Sequence, residues 1–394
     1  MPRAYQGSTL RYLLGKTGFH LRQILKHQRS PLKQQKSDPE LKQPLADFNR
    51  SIRTRDWQAM LRNAHEISAI AERRQNAGLM VEMSKALARA GRYDRATNLA
   101  LAARQINHGR DTKEWLGQDI SDAVLLIEFI ETRKQGLGGI LCYAPLLAPA
   151  IARAHRSVIV TEDRLIPILR RTFPQADVQS KENLAAARAK ADFFASYEHL
   201  GVLFGKDASE IERNFVSLRA DPSLVVGFRK RYARQSEQPL IGLSWGSKSY
   251  NKDVPSLQEW SAFIRVAPVQ FVSLQYGKIS ADLNELTGGT PARVIVDTSV
   301  DQMKDMDRFA AQICALDAVI SISNTAAHFS GALGVPAFFL IDDKFHTNWP
   351  VVGDKVPWYP RGHLFAKAGR EWPVVLEDVR ARLPSLARNK RYSH

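Results

Sequence analysis

The chain has 394 residues, of which 44% are hydrophobic and seven are Trp, and 56 Lys and Arg against 40 Asp and Glu give a formal charge of +16. That length accommodates two or three domains at about 150 residues each, and the composition excludes a largely disordered chain. Its positive charge draws anions, whether nucleic acid, acidic membrane or phosphorylated small molecules, while two cysteines in apolar stretches, Cys142 and Cys314, exclude a disulfide framework and fit a reducing compartment.

Residues 1–44 form a basic tail with acids only at Asp38 and Glu40. Within it Leu10, Leu13, Leu14, Leu21, Ile24 and Leu25 fall near helical spacing among Arg11, Lys16, Arg22 and Lys26. Such a basic amphipathic helix suits an anionic membrane surface, and the same pattern equally suits a solvated tail or a helix docked on its own protein. No cleavable leader follows Arg3, and the longest apolar run, Ile140 to Ile151, is shorter than the roughly 20 residues that span a bilayer. The expectation is a cytoplasmic protein, held by its tail, if at all, peripherally at the inner membrane face.

Residues 45–112 read as helical. The stretch "GLMVEMSKALARAGRYDRATNLALAARQIN" carries two apolar stripes broken at Gly91, and a partner pair is expected around Trp57 to Glu72. Ala86, Leu87, Gly91, Tyr93, Ala96 and Leu99 stand where a tetratricopeptide unit wants small and bulky packing residues, although two pairs are fewer than a free-standing solenoid needs.

Beyond Gly109, Val/Ile/Phe-rich runs alternate with helical stretches: "GILCYA", "SVIVTE", "ADFFASY", "LIGLSWG", "VQFVSLQYG", "ARVIVDT", "DAVISIS" and "PAFFLID". Near-continuous apolar runs of this kind indicate parallel strands covered on both faces, hence a doubly wound α/β chain. The polar stretch "RYARQSEQPL", residues 231–240, divides it into units at 113–236 and 237–386, with a basic tail at 387–394.

Three candidate sites fall at the carboxyl ends of strands in the second unit, where doubly wound sheets bind ligands. In "VISISNTAAHFSGALGVP" the apolar strand gives way to Ser323, Asn324, Thr325 and Ala326: two N-cap residues, a hydroxyl and a small residue that leaves the backbone open to a phosphate. Ser330, Gly331, Ala332 and Gly334 then allow the following helix close approach to the sheet. In "LIGLSWGSKSYNKDVPSLQEW", Trp245 ends a strand, Gly246, Lys248 and Lys252 offer an exposed turn and charge for a diphosphate, and Ser256 caps the next helix. In "FVSLQYG", Gln275 and Tyr276 offer polar and aromatic groups suited to a base or ribose. An ordinary capped helix and solvated lysines are the bland reading of each; their shared position favours a site.

These segments, with "DRFAAQICALDAVISISNTAAHFSGALGVP" and "PWYP", resemble the C-terminal half of heptosyltransferase-like glycosyltransferases, glycosyltransferase family nine, of the GT-B type. The resemblance is to bacterial forms fronted by tetratricopeptide repeats and spans roughly residues 45 to 385. Its most specific part is His328-x-x-Gly331-Ala332-x-Gly334-x-Pro336, and "QGLGGILCYAPLLAPAIARAHRSVIVTEDRLIPILRRTFPQADV" is similar to the N-terminal Rossmann-like half. It implies a GT-B-like pair of Rossmann-like domains, with the nucleotide-sugar held by the second and the acceptor facing the first. Asn324, Thr325 and Ala326 would hold the diphosphate and His328 would brace that loop. Lys248 and Lys252 would neutralise leaving-group charge, and Gln275 with Tyr276 would flank the base. No metal or cofactor beyond the donor is implied, and no Asp-x-Asp motif follows a strand.

Two positions depart from the family. Its Gly-Leu-Gly-Asp sequence reads Gly-Leu-Gly-Gly here, so the expected general base is replaced by Gly139, and Ser323 stands where relatives often place an acid. General-base help is typically worth about 10²–10⁴-fold. A slow enzyme, a relocated base (Glu162, Asp163, His155 or His199) or none remain open, and for Glu162 and Asp163 the bland reading is a polar strand end. The sequence thus points to a nucleotide-sugar-dependent glycosyltransferase acting on a cell-surface glycan, lipid-linked saccharide or protein acceptor. The alternative is a catalytically weakened nucleotide-sugar-binding or scaffolding subunit of such an assembly. Dispersed basic residues without a recognised module argue against nucleic acid as the partner.

Overall fold

The structure, a computed structural model, describes residues 38–107, 113–132, 136–206, 208–247, 252–288, 293–343, 349–351 and 353–389. The amphipathic pattern expected at Leu10 to Lys26 lies outside the described residues, as does Lys248. Among the described residues no helix is long and apolar enough to cross a membrane.

Helices come first: α1 Pro39–Thr54, α2 Trp57–Arg73, α3 Ala77–Arg89 and α4 Tyr93–Asn107. Local chemistry sets their starts. Asp38 accepts from the Glu40 N–H with Pro39 at the first helical position, so α1 begins ahead of the boundary that composition placed at Leu45. Asp56 and Asn76 cap α2 and α3 by accepting from Ala59 and Leu79. Leu41, Leu45, Phe48, Met60, Ile67, Leu79, Met83, Leu87 and Leu99 form the shared core of these helices.

The first sheet contains β1 Val124–Phe129, β2 Arg156–Thr161, β3 Asp177–Ser180 and β4 Phe193–Ser196, ordered β3-β2-β1-β4 and wholly parallel. The expected strand "GILCYA" is not one. Gly136 opens a short helix α5, Leu137–Leu141, and Pro145 lies in a 3-10 turn that follows, so this apolar run packs as helix while "VLLIEF" upstream supplies the strand. Pro145 directly after the run lacks the N–H a central strand would need, and Gly136, Gly138 and Gly139 around its start favour a turn into a short helix. Further helices are α6 Leu147–Ile151, α7 Ile166–Thr172, α8 Leu184–Lys190, α9 Tyr197–Phe204, α10 Ala208–Arg213 and α11 Pro222–Ala233. The break expected at 231–240 is shorter than its polarity suggested. Tyr232 is fully buried at the end of α11, stacked on Phe228 and hydrogen-bonded to Asp297 and Gln312.

The second sheet is six-stranded and parallel, ordered β10-β9-β8-β5-β6-β7. Its strands are β5 Leu240–Ser244, β6 Gln270–Ser273, β7 Val294–Ile295, β8 Ala318–Ile322, β9 Ala337–Ile341 and β10 Gly362–Ala366. Helices α12 Leu257–Val266, α13 Ser280–Thr287, α14 Met306–Cys314, α15 Thr325–Ala332 and α16 Trp372–Asn389 accompany them, the last running past the boundary expected at 386. Every residue of β5, β8 and β9 is buried, as continuous apolar strands require when helices cover both faces. One hydrophobic core runs from Leu125, Ile127 and Phe129 of the first sheet to Phe309 and Phe329 of the second unit, so the two halves share an interior.

Candidate functional site

At the sheet's centre, β8 and β5 lie side by side and the order reverses around them, so their carboxyl ends open onto the crevice where parallel sheets take ligands. Asn324 organises this end. Its Oδ1 accepts from the Ala327 N–H at 3.2 Å, which caps α15, and from Ser321 Oγ at 2.9 Å. Its Nδ2 donates to Ser244 Oγ at 2.8 Å and to the Gly246 carbonyl at 3.1 Å. The amide is thereby fully engaged in tying β8 to the loop after β5, so what it leaves to a ligand is backbone.

Gln275 is the matching latch from β6. Its Oε1 accepts from Ser244 Oγ at 3.1 Å and from the N–H groups of Trp245 and Gly246 at 2.9 and 2.8 Å. Its Nε2 donates to the Gly246 carbonyl at 3.3 Å. The residue read from sequence as a base contact spends its amide on the loop, a use that only the folded register of β5 beside β6 reveals. Trp245 is buried and donates its indole N–H to Asp282 at 2.9 Å, and half-buried Tyr276 follows Gln275.

Thr325 and Ala326 open α15, so their N–H groups are among those without intrahelical acceptors, at the positive end of the helix. Lys252 donates to the Ser323 carbonyl immediately before them, and burial pulls the ammonium below its usual pKa, partly offset by Asp342. A desolvated cation therefore sits beside a helix's positive end. Ser323 Oγ accepts from the Trp349 indole at 2.7 Å.

His328 lies one turn into α15 and is 5% exposed. Its Nδ1 shares a 2.8 Å hydrogen bond with Tyr359 OH, and its ring stacks on Trp349 at 4.7 Å and 21°. Burial first, and then the charge of Lys252, lower its pKa to about 3, so the ring is neutral. The close approach expected at Gly331 is made to Tyr359 rather than to the sheet: a Cβ there would lie 2.4 Å from that ring's Cγ.

Across from α15 stands α5. A Cβ on Gly138 would be 3.0 Å from His328 Cδ2 and 3.3 Å from Thr325 Cα, so the glycine-rich turn lets the first unit touch the start of α15. Gly139 is half-buried on the same short helix and brings no carboxylate. The other acid–base candidates are placed elsewhere. Glu162 follows β2 and accepts from Lys181 at 2.7 Å, with exposed Asp163 beside it. Exposed His155 precedes β2, at the opposite end of the sheet from the ligand edge. His199 is buried in the capping box of α9, where its Nδ1 accepts from the Ser196 N–H at 2.9 Å; its Nε2 meets Glu114 and Arg104. Such a ring would have to abandon its cap to move a proton for a substrate.

Sequence reasoning missed Tyr359, Trp349 and Asp342. Trp349 and Tyr359 come from the connection between β9 and β10, and nothing in their local sequence says that one will stack on His328 and the other meet it edge-on through a hydrogen bond.

No family model matches the chain. Protein FlbA of Caulobacter vibrioides is 26% identical over 271 residues, 64% of this chain, and the match spans only 44% of that protein's length. The glycosyl transferase family 9 structure from Veillonella parvula superposes with a TM-score of 0.51 at 13% identity, covering 68% of this chain and 98% of that one. The ADP-heptose lipopolysaccharide heptosyltransferase II of E. coli gives 0.49 at 12% identity, covering 68% and 99%. The fold is accordingly the GT-B-like pair of Rossmann-like units, with the all-α region in front.

Proposed function

We propose that the chain binds a nucleotide-sugar at the carboxyl ends of β5, β6 and β8 and transfers its sugar to a cell-surface glycan, lipid-linked saccharide or protein acceptor. The observation that carries this reading is the desolvated Lys252 beside the open N-terminus of α15. A partial and a full positive charge held together are stabilised by an anion beyond what Asp342 supplies, and a diphosphate is one. Asn324 and Gln275 hold the two loops rigid, so the donors are in place before the leaving group gains charge. The fold shared with the glycosyl transferase family 9 structure from Veillonella parvula supports the same reading.

In such a reaction an acceptor hydroxyl forms a bond to the anomeric carbon as the bond to the diphosphate breaks, and the hydroxyl proton must go to a base. Gly139 cannot take it. A second reading, a nucleotide-sugar-binding subunit with weakened catalysis, is favoured by that glycine and by the engagement of Glu162 and His199. The tetratricopeptide-like helices and the basic tail belong to this proposal as contacts for a protein partner and an anionic membrane.

A thermal-shift panel of UDP, GDP, ADP, TDP and CMP with their sugar conjugates tests the reading. A ligand at 100 times its dissociation constant stabilises the native state by about 2.7 kcal/mol. One nucleotide is expected to raise the melting temperature and its conjugate to raise it further. A flat panel, with a related active enzyme responding, contradicts donor binding; binding without turnover that Gly139→Asp restores selects the weakened reading.

A further inference from the structure

Arg89, the last residue of α3, is only 4% exposed, although charged residues closing a surface helix usually face water. Its Nε donates to the Trp349 carbonyl at 3.0 Å, and its own carbonyl accepts from the Val351 N–H at 3.0 Å. Burial lowers the guanidinium to about 9. Removing such a group from water is costly, and an apolar side chain of similar volume would avoid that penalty. The segment it grips is the one that builds the site. Trp349 donates to Ser323 Oγ at 2.7 Å and stacks on His328, which lies within α15.

We propose that Arg89 is a positioning residue for the anion site at the start of α15, acting through Trp349. The helical region would then be part of the nucleotide site's supporting wall rather than a separable module. By gripping residues 349 and 351 through both side chain and backbone, Arg89 sets the height of the indole over His328 and the direction of its N–H toward Ser323. Accepting from the indole turns the Ser323 hydroxyl proton away from Trp349. A displacement of α3 therefore reaches His328 and Ser323 without crossing the sheet. The ligand class is that of the donor reading above, a nucleoside diphosphate, and the proposal rests on that reading for its effect on binding.

The test uses the full chain with Arg89→Met, Arg89→Lys and a control, Thr97→Val, which removes the 3.2 Å hydrogen bond from the same helical region to Gly205 in the first unit. Two quantities are read: the His328 imidazole resonances of ¹⁵N-histidine-labelled protein, and dissociation constants for ADP, GDP and UDP. Arg89→Met is expected to move the His328 signals and weaken the bound nucleotide by about tenfold, an ordinary coupling between linked sites. Arg89→Lys should return both toward wild type, and Thr97→Val should leave both unchanged whatever it does to stability. Unmoved His328 signals in Arg89→Met, or equal movement in Thr97→Val, overturn the proposal. If wild type binds none of the nucleotides while His328 still responds to Arg89→Met alone, the donor reading fails and the coupling through Trp349 stands. Should Arg89→Met not fold, Arg89→Gln takes its place and is held to the same outcomes.

Discussion

His328 shows how burial turns one side chain into a measurable property. Its pKa near 3 in the folded chain lies below the roughly 6.5 of an unfolded histidine, so the unfolded state takes the extra proton first as pH falls. The linkage is therefore absent above about pH 6.5, and stability drops between there and pH 3 by up to about 1.4 kcal/mol per pH unit. Comparing urea unfolding of wild type and His328→Gln at pH 7.5 and 5 isolates this contribution. The gap between them should narrow at pH 5, and an unchanged gap would mean that the ring already takes up a proton in the folded state. Asn324 has a different signature. Asn324→Ala removes a helix cap and strips partners from Ser244 and Gly246 at once, so it should destabilise by about 2–3 kcal/mol. A loss below about 0.5 kcal/mol would show that the strand ends do not need this tie.

At the scale of elements, α15 and the connection that carries Tyr359 are fitted to each other through the missing Cβ of Gly331. Gly331→Ala pushes on the Tyr359 ring and, through it, on the hydrogen bond to His328. The expected loss is about 1–3 kcal/mol by chemical denaturation. A neutral or stabilised variant would mean that the ring moves aside freely. These fits also mark what sequence could reveal. Strand β8 and the cap of α15 were legible because an apolar run ending in Ser-Asn-Thr-Ala is a local signal. Ser256 was legible as a cap in the same way, and the structure adds Glu259 as its capping-box partner. The helix α5 was not, since "GILCYA" is apolar in either conformation and only Pro145 and the glycines spoke against a strand. The duties of Gln275 and Trp349 were out of reach, because the first depends on the register of β6 beside β5 and the second on partners as far away as Arg89 that only the fold brings together.

Across the whole molecule, the helical region touches both Rossmann-like units. Arg89 holds Trp349, and Arg55 pairs with Asp343 at 2.7 Å in the second unit. Thr97 bonds Gly205 in the first, and Arg104 pairs with Glu114 at 2.9 Å. Tyr93 packs edge-on against Trp358, which also meets Tyr143. With one core running between the sheets and these contacts tying the helices, which have a core of their own, to both units, calorimetry should show a single transition for helices and sheets together. A separate early transition carrying the helical signal would contradict this integration.

The central claim is that a nucleotide's phosphates sit at the start of α15, and mapping the contact tests it most directly. In ¹⁵N-alanine-labelled protein titrated with the nucleotide that the panel selects, the Ala326 and Ala327 amides should move first and furthest, and less in Lys252→Gln. Saturation with those amides unmoved, or with the largest shifts among alanines of the first sheet's unit, would place the ligand elsewhere and contradict the account.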